Sequence, residues 1–220
     1  MRSITVWDWP VRLSHWSFAV LVPAMWYTAE YSHWYWHTRL GTVLLGVLTF
    51  RLIWGVIGSQ TARFSQFVKG PRAVLNYLRG SDGEAEPSFG HSPIGALSVI
   101  ALLTAMLIQL GMGLFAGDPY DGATGPLNSF VGVMTADQLT DWHEDFVCVV
   151  LALAALHLAA IAFYAIVKRR NLVGPMLTGA KNAEGKAAGL APIAQGRAIA
   201  ALLVAAGIAL WVWFGAPPFG

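Results

Sequence analysis

The chain has 220 residues, of which 56% are hydrophobic and 12% charged, with a formal net charge of +2. A soluble domain carries about twice that charged fraction, and several apolar runs reach the ~20 residues that a bilayer-spanning helix needs. These bounds exclude a water-soluble domain, give no reason to expect a nucleic-acid partner, and point to an integral membrane protein in contact with lipid.

The first apolar segment, from about Arg12 to Ala29, follows Trp-Asp-Trp-Pro and carries His15 and Trp16. It lacks a short apolar core ending in a small-residue cleavage site and reads as a retained membrane helix. A second span runs from about Trp36 to Gly58, a third from Pro93 to Ala116, a fourth from Thr140 to Val167 and a fifth from Arg197 to Phe214. The stretches Ser81 to Pro93 and Asn182 to Pro192 are rich in turn-forming residues and read as loops. The expected fold class is all-α, an integral membrane bundle of five transmembrane helices. No repeat period indicates a solenoid.

Five spans place the N-terminus, the second loop and the fourth loop on one side. That side collects all of the 14 basic residues except Arg39, so the positive-inside rule assigns it to the cytoplasm. Glu30, Asp118, Asp121, Asp137, Asp141, Glu144 and Asp145 gather on the other side and make it acidic. The aromatic residues between Trp26 and Trp36 suit an interfacial belt. The lone Cys148 reads as a small buried apolar residue.

The six histidines carry the chemical signal. His143 and His157 lie 14 residues apart in the fourth span. At about 100° per residue they fall on one helix face, and a rise of about 21 Å puts them near opposite surfaces of a ~30 Å hydrocarbon core. His15, early in the first span, lies at the depth of His157, and His37, early in the second, lies at the depth of His143. Two depth-matched pairs result, one per leaflet. Facing imidazoles can hold a flat tetrapyrrole between helices. With both axial positions filled by protein, its iron passes electrons and leaves no position for gas binding. The sequence contains no Cys-x-x-Cys-His, so no c-type haem is attached covalently. His33 is a weaker alternative to His37, and His91 reads as a residue at the start of the third span or part of a quinone pocket.

Gly41, four after His37, permits close approach of a macrocycle or serves helix packing. Arg12 and Arg51 are candidates for pairing with haem propionates, or are snorkelling anchors.

Several segments resemble one family. "VWDWPVRLSHW" at 6–16 is similar to the first-helix signature of bacterial cytochromes b of the b561 and nickel–iron hydrogenase type. "HTRLG" at 37–41 and "RLIWG" at 51–55 resemble its second helix, "GHSPIGAL" at 90–97 the start of its third, "WHEDFVCVVLALAALH" at 142–157 its fourth, and "RRNLVGPMLTGAK" at 169–181 the stretch that follows. The resemblance implies a four-helix bundle with two bis-histidine haem b groups, and assigns the ligand roles to His15, His37, His143 and His157. It implies electron exchange between membrane quinone and a periplasmic partner such as a c-type cytochrome, a dehydrogenase or a hydrogenase subunit.

The resulting expectation is a dihaem domain over residues 1–182, with a cytoplasmic linker and fifth helix over 183–220. The chain would lie in the bacterial inner membrane, N-terminus cytoplasmic and C-terminus periplasmic. A superoxide:quinone oxidoreductase of the same fold is an alternative, disfavoured by acids that would repel an anion. A non-redox transporter or assembly protein is another, in which the histidines relay protons; it leaves the depth-matched pairs unexplained.

Overall fold

A computed structural model describes residues 2–79, 90–118, 123–183 and 189–219. Helices dominate it. The long ones are α1 (Trp9–Glu30), α2 (Trp34–Ile57), α5 (Pro93–Phe115), α6 (Val133–Ile166) and α8 (Gln195–Trp213). Between them lie three short helices: α3 (Phe64–Phe67), α4 (Pro71–Leu78) and α7 (Val173–Thr178). A 3-10 turn at Asn128–Phe130 precedes α6.

Among the described residues, α2, α5, α6 and α8 are long and apolar enough to cross a membrane. Their apolar side chains stay largely uncovered: on α6, Leu156, Leu158 and Ile166 are 66%, 65% and 76% exposed. A surface of that kind belongs in lipid. The structure is that of a mostly helical membrane protein. With 22 residues, α1 has a spanning length. Arg12, Ser14, His15, Thr28 and Glu30 make it the least apolar of the five, and it falls outside that set. The fourth element begins seven residues earlier than Thr140, so α6 has 34 residues and a length of about 51 Å. Its first turns exceed the thickness of a hydrocarbon core.

The chain divides into two compact units. One comprises Met1–Leu13, Arg51–Leu102 and Leu153–Ile199, and the other Ser14–Phe50, Leu103–Ala152 and Ala200–Gly220.

The first unit contains a feature the all-α expectation omits. β1 (Arg2–Thr5) pairs antiparallel with β2 (Ala180–Ala183), Arg2 opposite Ala183 and Thr5 opposite Ala180. Asn182 and Ala183 are therefore strand and not loop. Strands of four residues are too short for alternation to be legible, and these are joined by contacts far apart in sequence. Val6 and Trp7 extend the ribbon by donating their N–H groups to Gly179 O. Gly179 takes φ +83°, a left-handed conformation that glycine adopts without penalty. Arg12 donates to the carbonyls of Met176 and Leu177, closing the last turn of α7.

Asp8 ties this ribbon to the helices. Its Oδ1 accepts from Val11 N at 2.8 Å, capping α1, and its Oδ2 accepts from Trp54 Nε1 at 2.9 Å. Thr61 Oγ1 donates to Val6 O at 2.8 Å. Trp54, Thr61, Ala62 and Phe67 are buried around these bonds.

In the second unit α2 and α8 pack through small residues. A Cβ on Gly46 would meet Ala209 Cβ at 3.1 Å. The Arg39 guanidinium lies 4.0 Å from the ring centre of Trp213. The carbonyls at the end of α5 are taken up by Asn128, whose Nδ2 donates to Ala116 O at 3.1 Å, while Gly117 N donates to Thr140 Oγ1 at 3.0 Å.

Replacing Asp8 by Ala is expected to destabilise the protein by about 2–4 kcal/mol, combining a lost cap with a buried tryptophan N–H left without an acceptor. Asp8→Asn, which keeps the cap, costs less. Thermal unfolding in detergent compares the two.

Candidate haem site

His37 sits in the first turn of α2 and His143 in the third turn of α6, both within the second unit. Their ring centres are 6.1 Å apart and the rings stand at 89°. His37 Nδ1 lies 3.0 Å from Met25 O, with Thr28 Oγ1 at 3.3 Å. His143 Nδ1 lies 2.9 Å from Gln109 O. A carbonyl oxygen only accepts, so each Nδ1 carries the proton and donates it. Each Nε2 then keeps its lone pair, the form in which a neutral imidazole binds a metal. A backbone carbonyl holding the distal ring nitrogen is the usual way a ligating histidine is oriented.

The space around the pair is shaped by α5. A Cβ on Gly113 would meet His143 Cε1 at 2.6 Å, inside any tolerable contact. Four residues earlier, Gln109 both accepts from His143 Nδ1 and donates its Nε2 to His143 O at 2.8 Å. One hydrogen bond to the ring, a second to the His143 backbone and a missing side chain thus hold this imidazole in place. Neither residue stands out in an apolar sequence unless one asks why Gln109 interrupts the span. An intramembrane polar group generally has a partner.

His157 lies on α6 in the first unit, its Nδ1 3.4 Å from Ser98 Oγ. His15 lies on α1 in the second, edge-on to Trp16 with ring centres 5.2 Å apart. Both are half-buried. Gly41 is buried against α1, where a Cβ would touch Met25 at 3.4 Å. Met25 is the residue whose carbonyl receives His37. The exposed His33 precedes α2 and gives its carbonyl to His37 N at 2.9 Å.

The two arginines have protein surroundings of their own. Arg12 is engaged with the end of α7, as described above. Arg51 is buried, donates to Ala62 O at 3.5 Å and lies 5.1 Å from the Phe64 ring centre. His91 packs between Trp7 and Phe67, at 4.6 and 4.2 Å between ring centres. Burial, with the Arg51 charge adding to it, pushes the His91 pKa down to about 3.

Of the acidic residues, Glu30, Asp137, Asp141, Glu144 and Asp145 are exposed. Asp121 and Lys186 lie outside the described residues. No group of three or more His, Cys, Asp or Glu gathers among the described residues. An axial histidine pair needs only two.

Long apolar helices, with an imidazole pair held between two of them, define a membrane protein with a candidate cofactor site. A family model described as prokaryotic cytochrome b561 matches residues 6–179, and the chain belongs to that family. Comparison with curated proteins and with solved structures gives no match. Family membership makes the chain a membrane b-type cytochrome of bacterial electron transfer, with haem b as its cofactor.

His37 and His143 fit that cofactor. An imidazole nitrogen sits about 1 Å from its ring centre and metal–imidazole bonds are about 2 Å, so one iron between two rings needs centres about 6 Å apart. The observed separation of 6.1 Å is of that size.

Gly113→Ala is expected to displace the His143 ring and to lower the haem absorbance per protein. Gly111→Ala, where a Cβ meets nothing within 4 Å, leaves the spectrum unchanged. Titration of His91 has a defined sign as well. Its folded-state pKa lies below the ordinary 6.5, so the unfolded chain binds the additional proton and stability falls as pH drops from about 6.5 towards 3. His91→Gln lacks this contribution, and the difference between the two thermal-midpoint profiles over that range reports it.

Proposed function

We propose that this protein is a dihaem cytochrome b that carries electrons across the bilayer between membrane quinone and a periplasmic redox protein. The approach of His37 and His143 to 6.1 Å between ring centres, each with Nδ1–H committed to a carbonyl, is the observation that carries the reading. On this reading His37 and His143 hold one haem and His15 and His157 the other. The second pairing is supported by the matched depths of those residues and by their positions in the family's helix motifs.

When bound, each haem would supply a one-electron couple. The protein's own residues supply the rest. Met25 and Gln109 carbonyls orient the imidazoles and raise their basicity as ligands. Ser98 is placed to do the same for His157. Gly113 leaves room for the His143 ring, and Gly41 lets α1 approach beside His37. Arg12 and Arg51 remain candidates for haem propionates, Arg12 through donors not engaged with α7.

The membrane arrangement belongs to the same proposal. All five long helices cross, α1 included, because it has the length and its polar groups cluster near its ends. The loops carrying all basic residues but Arg39 lie in the cytoplasm, leaving the N-terminus there and the C-terminus in the periplasm. Residues 1–182 form the dihaem domain, and α8 follows a cytoplasmic linker. The exposed acids on the first half of α6 then face the periplasm, where they attract a basic partner such as a small c-type cytochrome.

A reduced-minus-oxidised spectrum with b-type bands and a haem-to-protein ratio of two is expected from purified protein. His37→Ala and His143→Ala should remove the same haem, and His15→Ala and His157→Ala the other. A ratio near one, or loss of both haems from each single variant, contradicts the pairing.

A further inference from the structure

Away from the histidines, the first unit contains a cavity of about 350 Å³ between the end of α2 and the segment leading into α8. Trp54, Ser59, Arg63, Pro192, Ile193 and Arg197 are among its walls. Two polar atoms of that wall are buried without a hydrogen-bond partner: Ser59 Oγ and Arg63 Nε. A third group, the Arg197 guanidinium, reaches Ile57 O at 3.5 Å, at the weak limit of a hydrogen bond. The described lining contains no acidic residue.

Such a lining is costly when left to itself. A buried donor without an acceptor loses its hydration and gains nothing in return. Two guanidinium groups on one cavity repel each other unless an anion lies between them. The start of α8, a helix of 19 residues, adds the positive end of its dipole beside the same cavity. A hydroxyl, two cations and a helix terminus all require negative oxygen. Trp54, Pro192 and Ile193 give the same cavity an apolar wall.

A phosphate group meets these demands. It accepts from several directions at once and pairs with the planar fork of arginine. Location supports it: Ile57 ends one membrane-length apolar helix and Gln195 begins another, so the cavity lies at the level of lipid headgroups. Basic pockets at that level bind anionic headgroups. We propose that this cavity is a binding site for a phosphate-bearing anion, with Ser59, Arg63 and Arg197 as its donors. An anionic phospholipid headgroup and free phosphate offer the same chemistry. The site is independent of the haem assignment.

The test uses the full-length protein purified in detergent. Short-chain phosphatidylglycerol is titrated and read by native mass spectrometry, and inorganic phosphate is titrated by calorimetry. Saturable binding of one phosphatidylglycerol is expected, weakened about thirtyfold in the double variant Arg63→Gln/Arg197→Gln and severalfold in Ser59→Ala. Arg72→Gln, an exposed arginine outside the cavity, should bind as the wild type does. Inorganic phosphate binding with the same dependence on these variants makes the anion alone sufficient. Binding of phosphatidylglycerol without it identifies a lipid headgroup as the ligand. The wild-type absorption spectrum in each variant reports that it has folded, and Ser59→Ala decides the matter should the double variant fail. No binding of either probe to the wild type, or equal binding by wild type and folded variants, overturns the proposal.

Discussion

An imidazole inside a membrane has two nitrogens and no water, so one nitrogen must be satisfied by protein before the other can serve a metal. The bonds from His143 Nδ1 to Gln109 O and from His37 Nδ1 to Met25 O meet that constraint, and much of the second unit is arranged around them. Both acceptors are helix carbonyls. A helical carbonyl already receives its own backbone bond and accepts a second through its remaining lone pair. The side chain is thereby oriented at no cost to the helix ladder. Gly113 matters for the same reason: α5 must come close enough for its backbone to reach the ring, and a Cβ would occupy that space.

The first unit solves a different problem. A ribbon formed by chain segments more than 170 residues apart must be fastened to helices, and Asp8 does so by serving α1 and Trp54 with one carboxylate. The charge of Arg51 bears on both Asp8 and His91, and His91 stays neutral between Trp7 and Phe67. Polar groups here are used for joining. Asp8 of "WDWP" and Trp54 of "RLIWG", two segments that resemble family motifs, are bonded to each other. Arg12 belongs to the same set, since it closes the last turn of α7.

Membership of the prokaryotic cytochrome b561 family gives the imidazole geometry a chemical meaning. The geometry adds what a family description does not contain. It identifies Gln109, Met25 and Ser98 as the groups that orient particular rings, and Gly113 as the vacancy one ring requires. It also shows that the segment after α2 holds two buried polar atoms without partners, Ser59 Oγ and Arg63 Nε.

The sequence by itself determined the long helices, because apolar runs and charge asymmetry are local and need no partner to be read. It also determined which histidines could share a depth, because helical rise and rotation are fixed per residue. Tertiary structure decided the rest. Gln109 and Gly113 became visible only when α5 was laid against α6, since a carbonyl bond and a missing Cβ leave no pattern along the chain. The β1–β2 ribbon was hidden by its shortness and by the distance between its strands. The boundaries of α6 shifted because its polar first turns continue helix beyond the apolar run that marked it. Local periodicity tells which residues share a face and a depth, whereas the contact that gives each face its chemistry belongs to two segments at once.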